Sequence, residues 1–189
     1  MSNRVTIINH GLCNLNSIAR ALEECGGDVE VTDNPSDFSG ADRFVLPGVG
    51  SFASAMANLA AKRLDVALRE EIARRDVPVL GICLGMQLLA DDSVEGGHTQ
   101  GLGLIPGSVV KLDPSAGERV PHMGWNSVEP TGHSRLFDGI PSSTDFYFVH
   151  SYHLRCPEAS VVARTEFCGG FVSAVACNNV MAVQFHPEK

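Results

Sequence analysis

The sequence predicts an α/β fold: a single domain with a mostly parallel central sheet, helices on both faces, and an added antiparallel strand region in the C-terminal half. Three observations carry this. The first half alternates strand-like and helix-like segments, the order that builds parallel sheets. Its strand segments are apolar without strict alternation, as expected for strands covered on both sides. Past about Gly101 the helical pattern stops and short strand-like runs follow one another across tight turns.

Arg4 to Asn9 (RVTIIN) is rich in β-branched residues and reads as a buried strand. Asn14 to Cys25 places Leu15, Ile18, Ala21 and Leu22 at helical spacing, with Asn14 as N-cap and Gly26-Gly27 as the stop. Val29 to Val31 and Arg43 to Leu46 are further strands. Phe52 to Arg75, rich in Ala, Leu, Arg and Glu, reads as helix with a break near Arg63. Val77 to Cys83 is a strand whose Pro78 is tolerable at its start, and Leu84 to Ala90 opens another helix. Then come five strand-like runs: Ser108 to Leu112, Phe146 to Leu154, Ser160 to Glu166, Phe171 to Cys177 and Val180 to Phe185. These read as antiparallel strands extending one edge of the sheet. No repeat or linker divides the chain, so residues 1–189 read as one domain.

Bulk properties narrow the function. The 189 residues are 44% hydrophobic and 19% charged, suiting one globular core. A formal charge of −8 without a basic stripe argues against nucleic acid as a partner. Apolar runs such as Val79 to Leu84 are far too short for a bilayer, so no membrane partner is expected. Met1-Ser2-Asn3-Arg4 lacks the layout of a signal peptide, and the cytoplasm is the expected location. Six cysteines without metal-type spacing read as reduced thiols; no metal and no cofactor is expected.

One cysteine has a special context. Gly81-Ile82-Cys83-Leu84-Gly85 lies where a buried strand meets a helix, the Gly-x-nucleophile-x-Gly pattern with Cys at its centre. A sharp strand-to-helix turn lifts the nucleophile clear of the sheet, and the glycines let neighbouring backbone pass without Cβ clashes. Free N–H groups at the helix start favour thiolate, and the Leu84 N–H points at the place where an oxyanion would form. A buried structural cysteine would satisfy the same pattern. An acyl-transfer thiolate needs a proton carrier, and His186 is the best placed of seven histidines. In extended chain His186 and Glu188 point to the same side, and Pro187 keeps the backbone extended. Glu188 can hold one imidazole nitrogen while the other faces sulfur, the logic of nucleophile, base and orienter. A polar loop end is the plainer alternative.

At these residues the chain resembles the class I (triad-type) glutamine amidotransferases, through Gly81-Ile82-Cys83-Leu84-Gly85-Met86-Gln87 and Gln184-Phe185-His186-Pro187-Glu188. Pro47-Gly48-Val49-Gly50-Ser51-Phe52, Gly101 to Gly107, His122-Met123-Gly124-Trp125-Asn126 and Tyr147 to Tyr152 are similar, in the same order, to the glutaminase subunits of imidazole glycerol-phosphate synthase. The resemblance implies hydrolysis of glutamine to glutamate and ammonia. The ammonia would pass to a cyclase subunit with a (β/α)₈ barrel in a heterodimer serving histidine biosynthesis. A paralogous glutaminase feeding a sugar-modifying synthase is the alternative. Two other classes stay open: a catalytically weak regulatory subunit, and a different cysteine hydrolase of related fold.

The resemblance also assigns residues. Cys83, His186 and Glu188 are the triad. Gly48, Val49 and Gly50, with Leu84, supply the oxyanion hole, glycine allowing one peptide to flip on activation. Gln87, one helical turn after Cys83, binds the substrate near the sulfur. Glu95 binds its α-amino group, and the backbone of Ser151 and Tyr152 its carboxylate. His150 beside them reads as a core or turn histidine. Asn14, Trp125, Asn126 and Lys189 face the partner. Three features depart from the family pattern. The loop Asn9-His10-Gly11-Leu12-Cys13-Asn14-Leu15, which faces the partner in the family, has His10 for Tyr and Cys13 for Gly. The acidic pair near Glu95 reads Ser93-Val94-Glu95. The family's last C-terminal helix is not found before Lys189.

Overall fold

A computed structural model describes residues 3–114, 117–132 and 134–189, so Met1 and Ser2 lie outside the described residues. In chain order the elements are β1 (Arg4–Ile8), α1 (Leu15–Glu24), β2 (Asp28–Thr32), β3 (Arg43–Gly48), α2 (Phe52–Ala61), α3 (Leu64–Arg75), β4 (Val79–Cys83) and α4 (Leu84–Leu88). There follow β5 (Asp92–Ser93), β6 (Thr99–Gln100), β7 (Ser108–Lys111), β8 (His122–Pro130), β9 (Thr144–His150), β10 (Tyr152–Arg155), β11 (Val161–Thr165), β12 (Phe171–Cys177) and β13 (Val180–Val183).

Nine strands form one sheet in the order β2-β1-β3-β4-β13-β12-β11-β8-β9. The first five run parallel, and β12, β11, β8 and β9 continue antiparallel. The parallel centre is sandwiched as its composition requires. Val5 and Ile7 of β1 and Val45 of β3 pack with Ile18 of α1 on one face. Ile8, Phe44 and Leu46 pack with Phe52 and Leu59 of α2 and Leu64 and Leu68 of α3 on the other. The helix break expected near Arg63 is there, with Arg63 left-handed at φ 58. Gly26 turns at φ 83 and the Gly27 N–H bonds the Leu22 carbonyl, closing α1. Asn14 precedes α1 but its side chain makes no capping hydrogen bond.

Two strand expectations need correction. Phe146 to Leu154 is not one strand. β9 ends at His150, Ser151 intervenes, and β10 belongs to a second, four-stranded sheet of order β10-β7-β5-β6. Ser108 to Leu112 lies in that sheet too, so the later strands do not all extend the main one. β8 has no counterpart among the strands the sequence predicts; its nine residues pair with β9 from His122↔His150 to Val128↔Thr144. Beyond β13 the chain meets β9 again: the His186 N–H donates to the Tyr147 carbonyl at 2.9 Å. The antiparallel half thus curls back on the C-terminal segment, bringing His186 beside the end of β4.

Candidate active site

Cys83 ends β4 at φ 55, ψ −112, a conformation that non-glycine residues avoid. Two glycines permit it. A Cβ on Gly85 would stand 1.7 Å from the Leu46 carbonyl oxygen, and one on Gly81 would stand 2.7 Å from Leu89 Cδ1 and 3.0 Å from Gly85 O. Only glycine lets α4 start this close to β3 and β4, which is how the sulfur comes to face the cavity. Leu84 is the first residue of α4, so its N–H has no partner within the helix. The helix is one turn long, which leaves these local N–H groups, rather than a long dipole, as its contribution.

A cavity of about 320 Å³ opens above the elbow, within the range for small-ligand sites. Cys83, His186, Gln87, Glu95, Val49, Gly50, Leu84, Ser151 and Tyr152 all line it, so segments far apart in sequence converge there. His186 Nδ1 lies 2.9 Å from Glu188 Oε1, and both side chains are buried. The other nitrogen, Nε2, is buried without a hydrogen bond of good geometry, on the side of the Cys83 thiol. Burial alone would push the imidazole pKa down. The interactions with the nearby Cys83 and with Glu188 outweigh it and push His186 up to about 10. Burial likewise acts to raise the Glu188 carboxyl, but the His186 hydrogen bond and charge hold it below its ordinary value.

The oxyanion segment is not fully presented. Gly48 lies opposite Cys83 in the β3–β4 register, and Gly50 turns at φ 94. The Val49 N–H, however, is given to the Leu12 carbonyl at 2.8 Å and is therefore turned away from the sulfur. Glu95 reaches the cavity with its Oε2 accepting the Phe52 N–H at 2.8 Å, at the start of α2. Gln87 is buried, and its Nε2 donates to the Tyr152 carbonyl at 2.9 Å and to Gln184 Oε1 at 3.0 Å. Both amide hydrogens are therefore used inside the protein, and only its oxygen is left for a ligand. Gln184, which the sequence offers only as part of the C-terminal motif and with no role of its own, brings its Nε2 to 3.7 Å from Cys83 Sγ. A polar residue in the apolar run Val-Met-Ala-Val-Gln-Phe was the available signal.

The expected partner face divides. Trp125 is 61% exposed and Met123 63%, side by side on one face of β8. Asn126 points to the opposite side, bonded to His122 Nε2 and the Glu166 carbonyl, so the structure does not place it beside Trp125. Asn14 is half-buried and Lys189 exposed. The two atypical loop residues turn inward. His10 is fully buried with Nε2 2.8 Å from the Pro47 carbonyl, and Cys13 Sγ lies 3.8 Å from the same oxygen. Among the described residues no three His, Cys, Asp or Glu side chains are grouped to hold a metal, and no helix is long and apolar enough to cross a membrane.

Comparison with known proteins gives one consistent result. The family profile "Glutamine amidotransferase class-I" matches residues 6–189. The imidazole glycerol phosphate synthase subunit HisH of Moorella thermoacetica is 51% identical over 186 residues, 98% of this chain and 87% of that one. The HisH subunit of Archaeoglobus fulgidus is 44% identical over 185 residues, 98% and 90% of the two chains. Among solved structures, a glutamine amidotransferase of Thermotoga maritima superposes with a TM-score of 0.74 at 21% identity, covering all of this chain and 77% of that one.

Proposed function

The chain belongs to the class-I glutamine amidotransferase family, and from that premise we propose that it hydrolyses glutamine to glutamate and ammonia for the cyclase subunit of a cytoplasmic imidazole glycerol phosphate synthase. The observation that carries the reading is the convergence of Cys83, His186 and Glu188 on one cavity, with His186 held between the sulfur and a carboxylate. The sulfur, as thiolate, attacks the side-chain amide carbon of glutamine. His186, protonated near neutral pH, gives its Nε2 proton to the leaving nitrogen, and ammonia departs. The same imidazole then takes a proton from water, whose oxygen attacks the thioester and releases glutamate. Glu188 holds the ring and balances its charge.

Leu84 supplies one oxyanion donor, and a second would come from the Gly48-Val49-Gly50 segment after its peptide turns away from Leu12. Glu95 is the natural partner of the substrate's α-ammonium group, with Ser151 and Tyr152 at its carboxylate end. The exposed pair Trp125 and Met123, with Asn14 and Lys189, is the surface offered to the cyclase barrel, which performs the ring-forming lyase step itself. The turned-away Val49 N–H supports a switch in which the isolated chain rests in a slow state and is turned on when the cyclase and its nucleotide dock.

The test is glutamate and ammonia production by the purified chain, alone and with the cyclase and its nucleotide. Strong stimulation by that pair is expected. Full activity without a partner would refute the switch, and stimulation by a sugar-modifying synthase alone would refute the histidine pathway.

A further inference from the structure

From the cavity wall into the protein behind it, seven residues share one unbroken hydrogen-bonded chain. Asn126 Nδ2 lies 3.2 Å from His122 Nε2, His122 Nδ1 lies 3.1 Å from His150 Nε2, and His150 Nδ1 lies 2.8 Å from the Tyr152 carbonyl. From the other side Gln87 reaches the same carbonyl at 2.9 Å and Gln184 at 3.0 Å, and Gln184 reaches the Cys83 sulfur at 3.7 Å.

Chemistry fixes the direction of every link. A carbonyl only accepts, so His150 carries its hydrogen on Nδ1. Burial pushes His150 down to about 3 and His122 down to about 4, so both rings are neutral at physiological pH, with one donor each. His150 Nε2 is then an acceptor, His122 donates from Nδ1, and His122 Nε2 accepts from Asn126. On the near side Gln87 can only donate to the Tyr152 oxygen. Its amide cannot turn over, and its second hydrogen holds the Gln184 oxygen. Gln184 in turn cannot turn over, and its N–H₂ rather than its oxygen meets the sulfur.

We propose that this chain positions the nucleophile: Gln184 donates to the Cys83 sulfur, Gln87 and the Tyr152 carbonyl lock Gln184 in the donating orientation, and His150, backed by His122, holds that carbonyl in place. The proposal rests on Cys83 being the nucleophile. An amide hydrogen aimed at sulfur stabilises negative charge there, before attack and again when the thioester is hydrolysed. The opposite orientation would set a carbonyl oxygen against the thiolate. Gln184 touches the reacting atom. Gln87, His150 and His122 act through it as positioning residues, and the chain ends on β8, whose other face carries Trp125.

The test uses the complex with the cyclase, with a reactive glutamine analogue mapping the labelled cysteine. Gln184→Met keeps the volume, and Gln184→Glu keeps the shape but removes the donor. Both are expected to lower kcat about tenfold with KM little changed, and to move the acid side of the pH–rate profile to higher pH. His150 provides the second comparison. His150→Phe keeps the ring packing against Phe148 and Phe171 but loses the donor, whereas His150→Asn keeps a donor toward Tyr152 and loses the packing. A positioning role makes the Asn variant the more active and the Phe variant the more thermostable. Full kcat with an unmoved pH profile in Gln184→Met, or a Phe variant as active as the parent, would overturn the proposal. Labelling of a cysteine other than Cys83 in the parent complex would remove the nucleophile and the proposal together.

Discussion

The Val49 amide hydrogen is donated to the Leu12 carbonyl across 2.8 Å, so the segment opposite Cys83 is held by the loop between β1 and α1. Releasing the Val49 N–H turns the Gly48–Val49 peptide, and the next residue, Gly50, must follow from a φ of 94, where a side chain is disfavoured. Gly50→Ala is therefore expected to lower the partner-stimulated glutaminase rate about tenfold, for a backbone cost on the order of 1 kcal/mol. The space around it is not the cause, since an added Cβ meets only Leu12 Cδ1 at 3.9 Å. Steady-state rates with saturating cyclase and nucleotide check this.

Cys83→Ala is expected to abolish glutamine hydrolysis and to leave the melting temperature and partner affinity close to the parent's. A reactive glutamine analogue should label Cys83 first, although Cys25 is the exposed thiol. Peptide mapping of the labelled protein decides, and prior modification of Cys25 would speak against the nucleophile assignment.

His186→Ala should cost at least about a thousandfold in kcat, and Glu188→Gln roughly tenfold to a hundredfold, because one residue moves the proton and the other orients it. Kinetics on both variants in the same complex give the ratio. Equal losses would show that Glu188 also fastens the chain end.

The histidines predict a dome in stability against pH. His122, His150 and His153 are buried and held at about 4, about 3 and about 4, so the unfolded chain binds more protons than the folded one below 6.5. Stability should fall as pH drops from about 6.5 towards 4. His186 acts oppositely. Its contribution is complete below 6.5 and is lost as pH rises towards about 10. Melting temperatures across pH 4 to 10 should peak near the ordinary histidine value, as these pKa values require. His150→Phe should flatten the acid limb and Glu188→Gln the alkaline one.

Gly85→Ala should destabilise the fold by about 3 kcal/mol or more, because a rigid backbone oxygen, Leu46 O, occupies the place of the new methyl. Chemical denaturation measures it. Gly132→Ala, where an added Cβ meets none of the described residues beyond its chain neighbours within 4 Å, is the control expected to change little.

The parallel half was legible because its inner strands are apolar on both sides and its helices have distinct stops, such as Gly26 or the turn at Arg63. The elbow was legible for the same reason: Gly81 and Gly85 are needed by local packing and so mark Cys83. β8 was missed because His122, Gly124, Asn126 and Pro130 are not strand formers, and its pairing with β9 rather than local preference makes it a strand. The split at Ser151 was invisible since Phe146 to Leu154 is one continuous β-prone run. Gln87 was read by its helical spacing from Cys83, which places it correctly at the cavity but says nothing of the Tyr152 carbonyl that holds its amide. Asn126 followed Trp125 in sequence, yet neighbours in a strand point to opposite faces.

The passage from β9 to β10 through the single residue Ser151 has a genetic consequence. His150 pairs in one sheet and Tyr152 in the other, so the residues between have no slack to absorb a change in length. An inserted or deleted residue here would shift the strand on one side by one position and exchange its inward and outward side chains. Substitutions at Ser151 should therefore survive in a deep mutational library far more often than insertions or deletions of one codon, a polarity opposite to that of most loops between strands.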